Sequence, residues 1–242
     1  MSEGRLWQPL ADHYTTSREH LHQIAFFAVS PARHRAVGRM GLQPSPGGFG
    51  TPEFDGQVAR VDGSRLVHER NGTSASQEIS TVRAAAEFFG GNHKEVWFDD
   101  FHDPLTPIDP DTELSVDEGD AMLIGEWFEF GFDVLNRLRA EGTHEDAVSE
   151  AQIWPEHFDG ATELGSQESG SRASFGASPG DSGVSSPYIY VAPWSAVDRS
   201  DDYWNAETFG GSIVTYDTLA DAADPIDFAL EFYLTGYRKL RG

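Results

Sequence analysis

Cysteine is absent from the sequence. Its absence excludes disulfide bonds, thiolate metal ligands and cysteine nucleophiles, and it is typical of proteins in a reducing compartment. The sequence also lacks a run of the roughly 18 apolar residues that a membrane-spanning helix needs. The first residues, MSEGRLWQPLADHY, do not have the basic and then apolar order of a signal peptide. We therefore expect a cytoplasmic protein with no membrane partner.

Basic residues are scarce. The sequence has 17 Lys and Arg against 40 Asp and Glu, which gives a formal net charge of −23. Between Lys94 and Arg137 there are thirteen acidic residues and no basic one. Because this charge repels nucleic acid, we expect no nucleic-acid partner. A solvated acidic surface is the simplest interpretation, and the alternatives are a mimic of DNA or a surface that meets a basic protein.

The first part of the sequence predicts helices and a hairpin. Apolar residues at helical spacing indicate helices over residues 17–29 and 82–89. Ser30-Pro31 predicts the start of a second short helix directly after the first, and Gly38 predicts its end. Two strand-like runs, 58–61 and 65–68, flank Asp62-Gly63, a pair that favours a tight hairpin turn. Proline and glycine alternate over residues 44–52, which predicts a loop.

A long helix is predicted in the middle of the chain. Ser115 and Glu118 have the spacing of a capping box, in which the two side chains accept hydrogen bonds from backbone N–H groups at a helix start. The apolar stripe that follows is typical of a helix that faces a core. Residues 141–150 are polar and mark a sub-boundary in a chain that we otherwise expect to form one domain.

The last part of the sequence predicts an antiparallel sheet and a helix. Four strand-like runs, separated by Gly, Ser, Pro and Asp, cover residues 157–164, 172–178, 188–194 and 209–216. Asp224-Pro225 then has the form of a helix start, and we expect this last helix to cover the sheet. The predicted fold class is α+β, with an antiparallel sheet packed by a long central helix and a C-terminal helix, after an N-terminal helical and hairpin part.

Several short segments carry a resemblance to a known family. Residues 154–159 read W-P-E-H-F-D, residues 178–181 read S-P-G-D and residues 187–190 read P-Y-I-Y. The chain resembles a family of uncharacterised bacterial proteins that share W-P-x-H-F-D, S-P-G-D and P-Y-x-Y segments in this order. The resemblance covers residues 150–242 and implies a domain of unknown function without a known chemistry.

The segment around Ser178 has the G-x-S-x-G pattern of a hydrolase nucleophile. In that motif the residue after the serine donates its backbone N–H to the oxyanion, but Pro179 has no N–H. The usual order of Ser, Asp and His is also excluded, because the last histidine is His157. We therefore expect no serine hydrolase of this class.

Residues of the predicted sheet suggest a pocket for a small polar molecule. His157 and Asp159 are two residues apart, so a strand would place both on one face, with His157 as acid or base and Asp159 or Asp181 as its partner. The remaining candidates are ligand-binding hydroxyl, carboxylate and aromatic groups: Ser178, Asp181, Tyr188, Tyr190, Trp194 and Trp204. The alternative is an ordinary polar outer face of a sheet.

No cofactor motif is present, and we predict no metal site. The cluster of Asp99, Asp100, His102 and Asp103 could ligate a divalent ion, but adjacent acids usually point apart. The sequence does not distinguish an enzyme from a binding protein. The leading hypothesis is binding or turnover of a small polar molecule, and the alternative is a non-catalytic interaction or scaffold protein, with self-association into a homo-oligomer left open.

Overall fold

A computed structural model describes residues 5–94 and 105–242. It contains helices and two antiparallel five-stranded sheets, which confirms the predicted α+β class. The chain divides into two compact units. The N-terminal unit comprises Met1–Phe128 and Ile153–Phe158, and the C-terminal unit comprises Glu129–Gln152 and Asp159–Gly242. Within the described residues, no helix is both long enough and apolar enough to cross a lipid bilayer.

The N-terminal unit begins with a continuous helical segment that joins the two predicted helices and starts at Tyr14 instead of Ser17. Helix α1 spans Tyr14–Ile24, a π-helical turn follows over Ala25–Val29, and helix α2 spans Ser30–Val37. The junction residues keep right-handed helical angles, so the chain does not break between the two predicted helices. Gly38 ends α2 in the left-handed conformation, with φ of 67°.

The N-terminal sheet has the strand order β1-β2-β3-β4-β5. Its strands are, in chain order, β1 (Gln43–Ser45), β2 (Gly48–Gly50), β3 (Gln57–Asp62), β4 (Arg65–Arg70) and β5 (Thr73–Glu78). The predicted hairpin is confirmed as β3 and β4, with Asp62 opposite Arg65, so Gly63 and Ser64 form the turn.

The loop predicted for residues 44–52 is wrong, because this segment forms the β1–β2 hairpin. Pro44 is tolerated because β1 is an edge strand, where a missing N–H costs little. Gly50 is required by packing, since a Cβ atom there would lie 2.5 Å from the Cβ atom of Arg60. Local proline and glycine content could not reveal these contacts with β3.

The predicted helices of the middle region are confirmed, but one cap is not. Helix α3 spans Val82–Phe88, and helix α4 spans Glu118–Glu141. The side chain of Asp117 caps α4, because its Oδ1 accepts hydrogen bonds from the backbone N–H groups of Gly119 (2.8 Å) and Asp120 (3.2 Å). Ser115, the predicted cap, instead donates its backbone N–H to Nδ1 of His20. The two residues are 95 positions apart, so a local motif does not predict this contact.

The C-terminal sheet has the strand order β10-β9-β8-β7-β6. The strands are β6 (Gln152–Trp154), β7 (Asp159–Leu164), β8 (Ala173–Ser178), β9 (Tyr188–Pro193) and β10 (Ser212–Thr215). All four predicted strands are present, with β7 and β10 shorter at their starts. The strands pair antiparallel, as predicted.

Two helices follow β10. Helix α5 spans Tyr216–Ala220, and helix α6 spans Pro225–Arg241 with Asp224 as its cap, as the sequence predicted. The buried hydroxyl of Tyr233 in α6 donates to the carbonyl oxygen of Gly176 in β8 at 2.7 Å. This bond confirms that α6 covers the sheet. The predicted sub-boundary, residues 141–150, lies inside the C-terminal unit and contains the buried carboxylate of Asp146.

Candidate functional site

Two tyrosine and aspartate pairs occupy the C-terminal sheet. Asp159 begins β7 and is only 6% exposed, and its Oδ2 accepts a hydrogen bond from the hydroxyl of Tyr190 in β9. Burial, together with the charge of Asp159, raises the pKa of Tyr190 well above its ordinary value. Tyr190 therefore keeps its proton and acts as a donor to the carboxylate.

The second pair joins Tyr188 to Asp181. The hydroxyl of Tyr188 donates to Oδ2 of Asp181 at 2.6 Å, and burial raises the pKa of this tyrosine above its ordinary value, with a further contribution from Asp181. The other oxygen of Asp181, Oδ1, accepts the backbone N–H groups of Gly183 (2.6 Å) and Val184 (2.8 Å). Asp181 thus fixes the loop that follows β8.

The two pairs are neighbours. The rings of Tyr188 and Tyr190 are 6.1 Å apart between centroids. Ser178 ends β8 beside them, is 3% exposed, and accepts the backbone N–H of Gly180 at 3.1 Å. The structure therefore brings together five of the residues predicted for the pocket: Asp159, Ser178, Asp181, Tyr188 and Tyr190.

The two predicted tryptophans have different surroundings. Trp194 is 51% exposed, its Nε1 donates to Oγ of Ser174 at 3.2 Å, and the guanidinium of Arg172 lies 5.4 Å from its ring centroid. Trp204 is only 6% exposed and packs edge-on against Tyr203 at 4.7 Å between centroids. Trp204 is therefore part of the hydrophobic packing of the C-terminal unit, whereas Trp194 presents much of its ring to solvent.

His157 does not lie in a strand. The prediction that His157 and Asp159 share one face of a strand therefore does not apply. The residue belongs to a turn over residues 155–158, and its side chain is 52% exposed, with Nε2 3.6 Å from Oε1 of Glu156. The cause is Phe158, which has a φ of 53° and donates its N–H to the carbonyl oxygen of Trp154 at 2.7 Å. The extended strand begins only at Asp159.

The same turn contains a partner that sequence reasoning missed. Nε2 of His22 in α1 donates to the carbonyl oxygens of Pro155 (3.0 Å) and Glu156 (3.2 Å), and its ring stacks on Phe158 at 5.2 Å between centroids. Burial lowers the pKa of His22 to about 4, so the imidazole is neutral near pH 7. His22 holds the turn by hydrogen bonding to its backbone.

A cavity of about 400 Å³ lies beside the Asp181 loop. Its lining consists of loop, strand and helix residues of the C-terminal unit: Gly183, Val184, Asn205, Glu207, Thr208, Ile213, Val214, Thr215 and Thr218. Glu207 is the one charged residue in this lining, and three threonines add hydroxyl groups. A volume of this order suits a small molecule.

The edge strand β10 forms one wall of this cavity and is fixed by Asn205. Oδ1 of Asn205 accepts the backbone N–H of Ile213 at 2.8 Å, and its Nδ2 donates to the carbonyl oxygen of Ile213 at 3.1 Å. The hydroxyls of Thr215 and Thr218 are 3.0 Å apart. Sequence reasoning missed Asn205, Glu207 and the threonines because β10 and the loops meet only in the folded unit.

The acidic cluster of Asp99, Asp100, His102 and Asp103, at which the sequence predicts no metal site, lies outside the described residues. Comparison of the chain with protein-family models, with curated proteins and with solved structures gave no match.

Proposed function

We propose that the C-terminal unit binds a small polar molecule in the cavity between the Asp181 loop and strand β10. The observation that supports this proposal is the position of Asp181. One oxygen holds the Gly183 and Val184 amides, which line the cavity, and the other holds Tyr188. Asp181, a residue of the predicted polar face, therefore hydrogen-bonds both Tyr188 of that face and the backbone of one wall of the cavity.

The lining indicates the class of ligand. The hydroxyl groups of Thr208 and Thr218 can donate and accept hydrogen bonds, and Glu207 adds a negative charge. Because the lining contains no basic residue, an anionic ligand would form no ion pair there and would be repelled by Glu207. A neutral polyol, or a polar molecule with an ammonium group, fits this lining better than a phosphate or a carboxylate.

The test is a thermal-shift screen of the full chain with sugar alcohols, monosaccharides, amino acids, polyamines and sugar phosphates. We expect a rise in Tm with a polyol or an amine and none with the sugar phosphates. Thr208→Val removes one lining hydroxyl at nearly constant volume, and Glu207→Gln removes the charge, so each should reduce binding about tenfold, the loss expected for one hydrogen bond of about 1.4 kcal/mol.

Glu168→Gln is the matched control, because Glu168 is exposed in the same unit and does not line the cavity. His157→Ala belongs in the same experiment, since loss of binding in that variant would support the role that the sequence predicted for His157. A screen without any shift, or binding unaffected by Thr208→Val and Glu207→Gln together, would contradict the proposal.

A second candidate function is protein interaction. It is favoured by the formal net charge of −23 and by Trp194, whose ring is half exposed. A large exposed aromatic residue is typical of contact surfaces. In this case sedimentation should show self-association that Trp194→Ala abolishes, or a pull-down should recover a basic protein, while the ligand screen stays blank.

A further inference from the structure

An imidazole and two carboxylates converge in the N-terminal unit. His13 lies directly before α1, Asp117 caps α4, and Asp120 lies in the first turn of α4. One ligand atom from each of the three residues lies within 4.8 Å of the other two. Nδ1 of His13 is 2.6 Å from Oδ2 of Asp120. Segments about 100 residues apart in sequence therefore place three metal-ligating groups at one point.

One of the three groups is buried and two are exposed, which suits a cation that also contacts solvent. Asp120 is only 5% exposed, whereas the side chain of His13 is 56% exposed and Asp117 is also exposed. A buried carboxylate would anchor the ion, and the exposed side would admit water. Three protein ligands with a remaining position for water are typical of zinc sites that are not purely structural.

Two positive features oppose a cation here. The start of α4 carries the positive end of the helix dipole, equivalent to about half an elementary charge. The guanidinium of Arg5 also lies close, since a Cβ atom on Gly119 would be 2.1 Å from its Nη1. The two negative charges of Asp117 and Asp120 exceed these positive charges, so binding of a divalent ion is still favoured. Removal of the Arg5 charge should strengthen that binding.

We propose that His13, Asp117 and Asp120 form a binding site for a divalent transition cation, for which Zn²⁺ is the probe. Mixed imidazole and carboxylate ligands suit Zn²⁺ and Mn²⁺ better than Ca²⁺, which prefers oxygen ligands alone. On binding, the ion takes the place between His13 and Asp120 that is now spanned by their hydrogen bond. The proposal is independent of the cavity in the C-terminal unit.

The test is a calorimetric titration of the EDTA-treated full chain with zinc chloride. We expect one saturable site, and we expect His13→Ala and Asp117→Asn each to weaken it at least tenfold. Asp117→Asn is the more decisive variant, because asparagine is an equally good helix cap and the start of α4 should remain intact. Arg5→Gln should tighten binding severalfold, a change opposite in sign to that of the ligand variants.

The matched control is His144→Ala. His144 is also a surface histidine beside a carboxylate, with Nε2 3.9 Å from Oε1 of Glu145 and a side chain 90% exposed. This variant should leave Zn²⁺ affinity unchanged. Absence of a saturable site, equal affinity in wild type and Asp117→Asn, or a loss in His144→Ala as large as in His13→Ala would overturn the proposal. Circular dichroism of each variant verifies that the fold is retained.

Discussion

Hydrogen-bonded polar side chains serve different purposes in the two units. In the N-terminal unit the neutral imidazole of His22 hydrogen-bonds backbone carbonyls of a turn. In the C-terminal unit, carboxylates accept hydrogen bonds from tyrosine hydroxyls, as in the pairs of Asp159 with Tyr190 and of Asp181 with Tyr188. The neutral imidazole of His22 holds the backbone of a turn in place. The carboxylate of Asp181 holds a loop in place, and that loop is one wall of a cavity.

The largest effect is expected at a third carboxylate of the C-terminal unit, Asp146, which is 3% exposed. Its Oδ2 accepts hydrogen bonds from the N–H and hydroxyl of Thr143 and from the hydroxyl of Tyr237, each at 2.7 Å, and it contacts Arg241. Burial raises the pKa of Asp146, but these hydrogen bonds and the charge of Arg241 outweigh it and lower the pKa overall. Asp146→Ala should lower the free energy of unfolding by about 3 kcal/mol in urea denaturation.

Glu145→Ala is the control for this substitution. Glu145 is the preceding residue and is exposed, so its loss should cost less than about 0.5 kcal/mol. Equal costs for Glu145→Ala and Asp146→Ala would show that the carboxylate of Asp146 is no more important than a surface charge.

The second prediction concerns His22 and pH. Its folded-state pKa of about 4 lies below the ordinary value of 6.5, so the unfolded chain binds the proton more readily than the folded chain. The stabilisation by neutral His22 is therefore complete above pH 6.5 and is lost as the pH falls toward 4, by up to about 3 kcal/mol. Denaturation of wild type and His22→Gln at pH 7 and pH 4.5 measures this loss of stabilisation.

The glutamine variant has no group that titrates in this range, so the stability advantage of the wild type over His22→Gln should shrink with acidification. A difference between the two proteins that stays constant across this pH range would contradict a neutral imidazole with a lowered pKa. It would also weaken the contrast between the two units.

The smallest effects are expected for the tyrosine hydroxyls. Asp159 is buried and Asp181 is exposed, so loss of the donor should matter more at Asp159. Tyr190→Phe should cost about 2 kcal/mol and Tyr188→Phe about 1 kcal/mol, because Asp181 keeps its two amide donors. Urea denaturation of both variants measures the two costs, and the reverse order would show that burial does not set the strength of these pairs.

Much of the fold follows from local sequence signals. The cap at Asp224, the hairpin around Gly63 and the apolar stripe of α4 each act over a few residues, and the predicted elements are found at these places. The predicted pocket residues of β7, β8 and β9 also come together, since antiparallel neighbours pair in register. The cavity itself could not be predicted, because Asn205 and Thr208 reach it from loops.

The errors have a common physical origin. The sequence predicted Ser115 as the cap of α4, but the N–H of Ser115 is bound to His20 and Asp117 caps the helix instead. His157 would have faced the same side as Asp159 if Phe158 were extended, and a single positive φ angle prevents it. In each case, a contact or an angle fixed by distant parts of the chain decided between two locally acceptable conformations.

The sequence by itself determined the α+β class, the main helices and strands and the strongly acidic character, because periodicity, capping and charge are properties of short segments. Only the tertiary structure decided which polar groups meet: His13 with Asp120, His22 with the 155–158 turn, and Tyr190 with Asp159. These pairs are 107, 133 and 31 residues apart, so their contact depends on packing that no local pattern encodes.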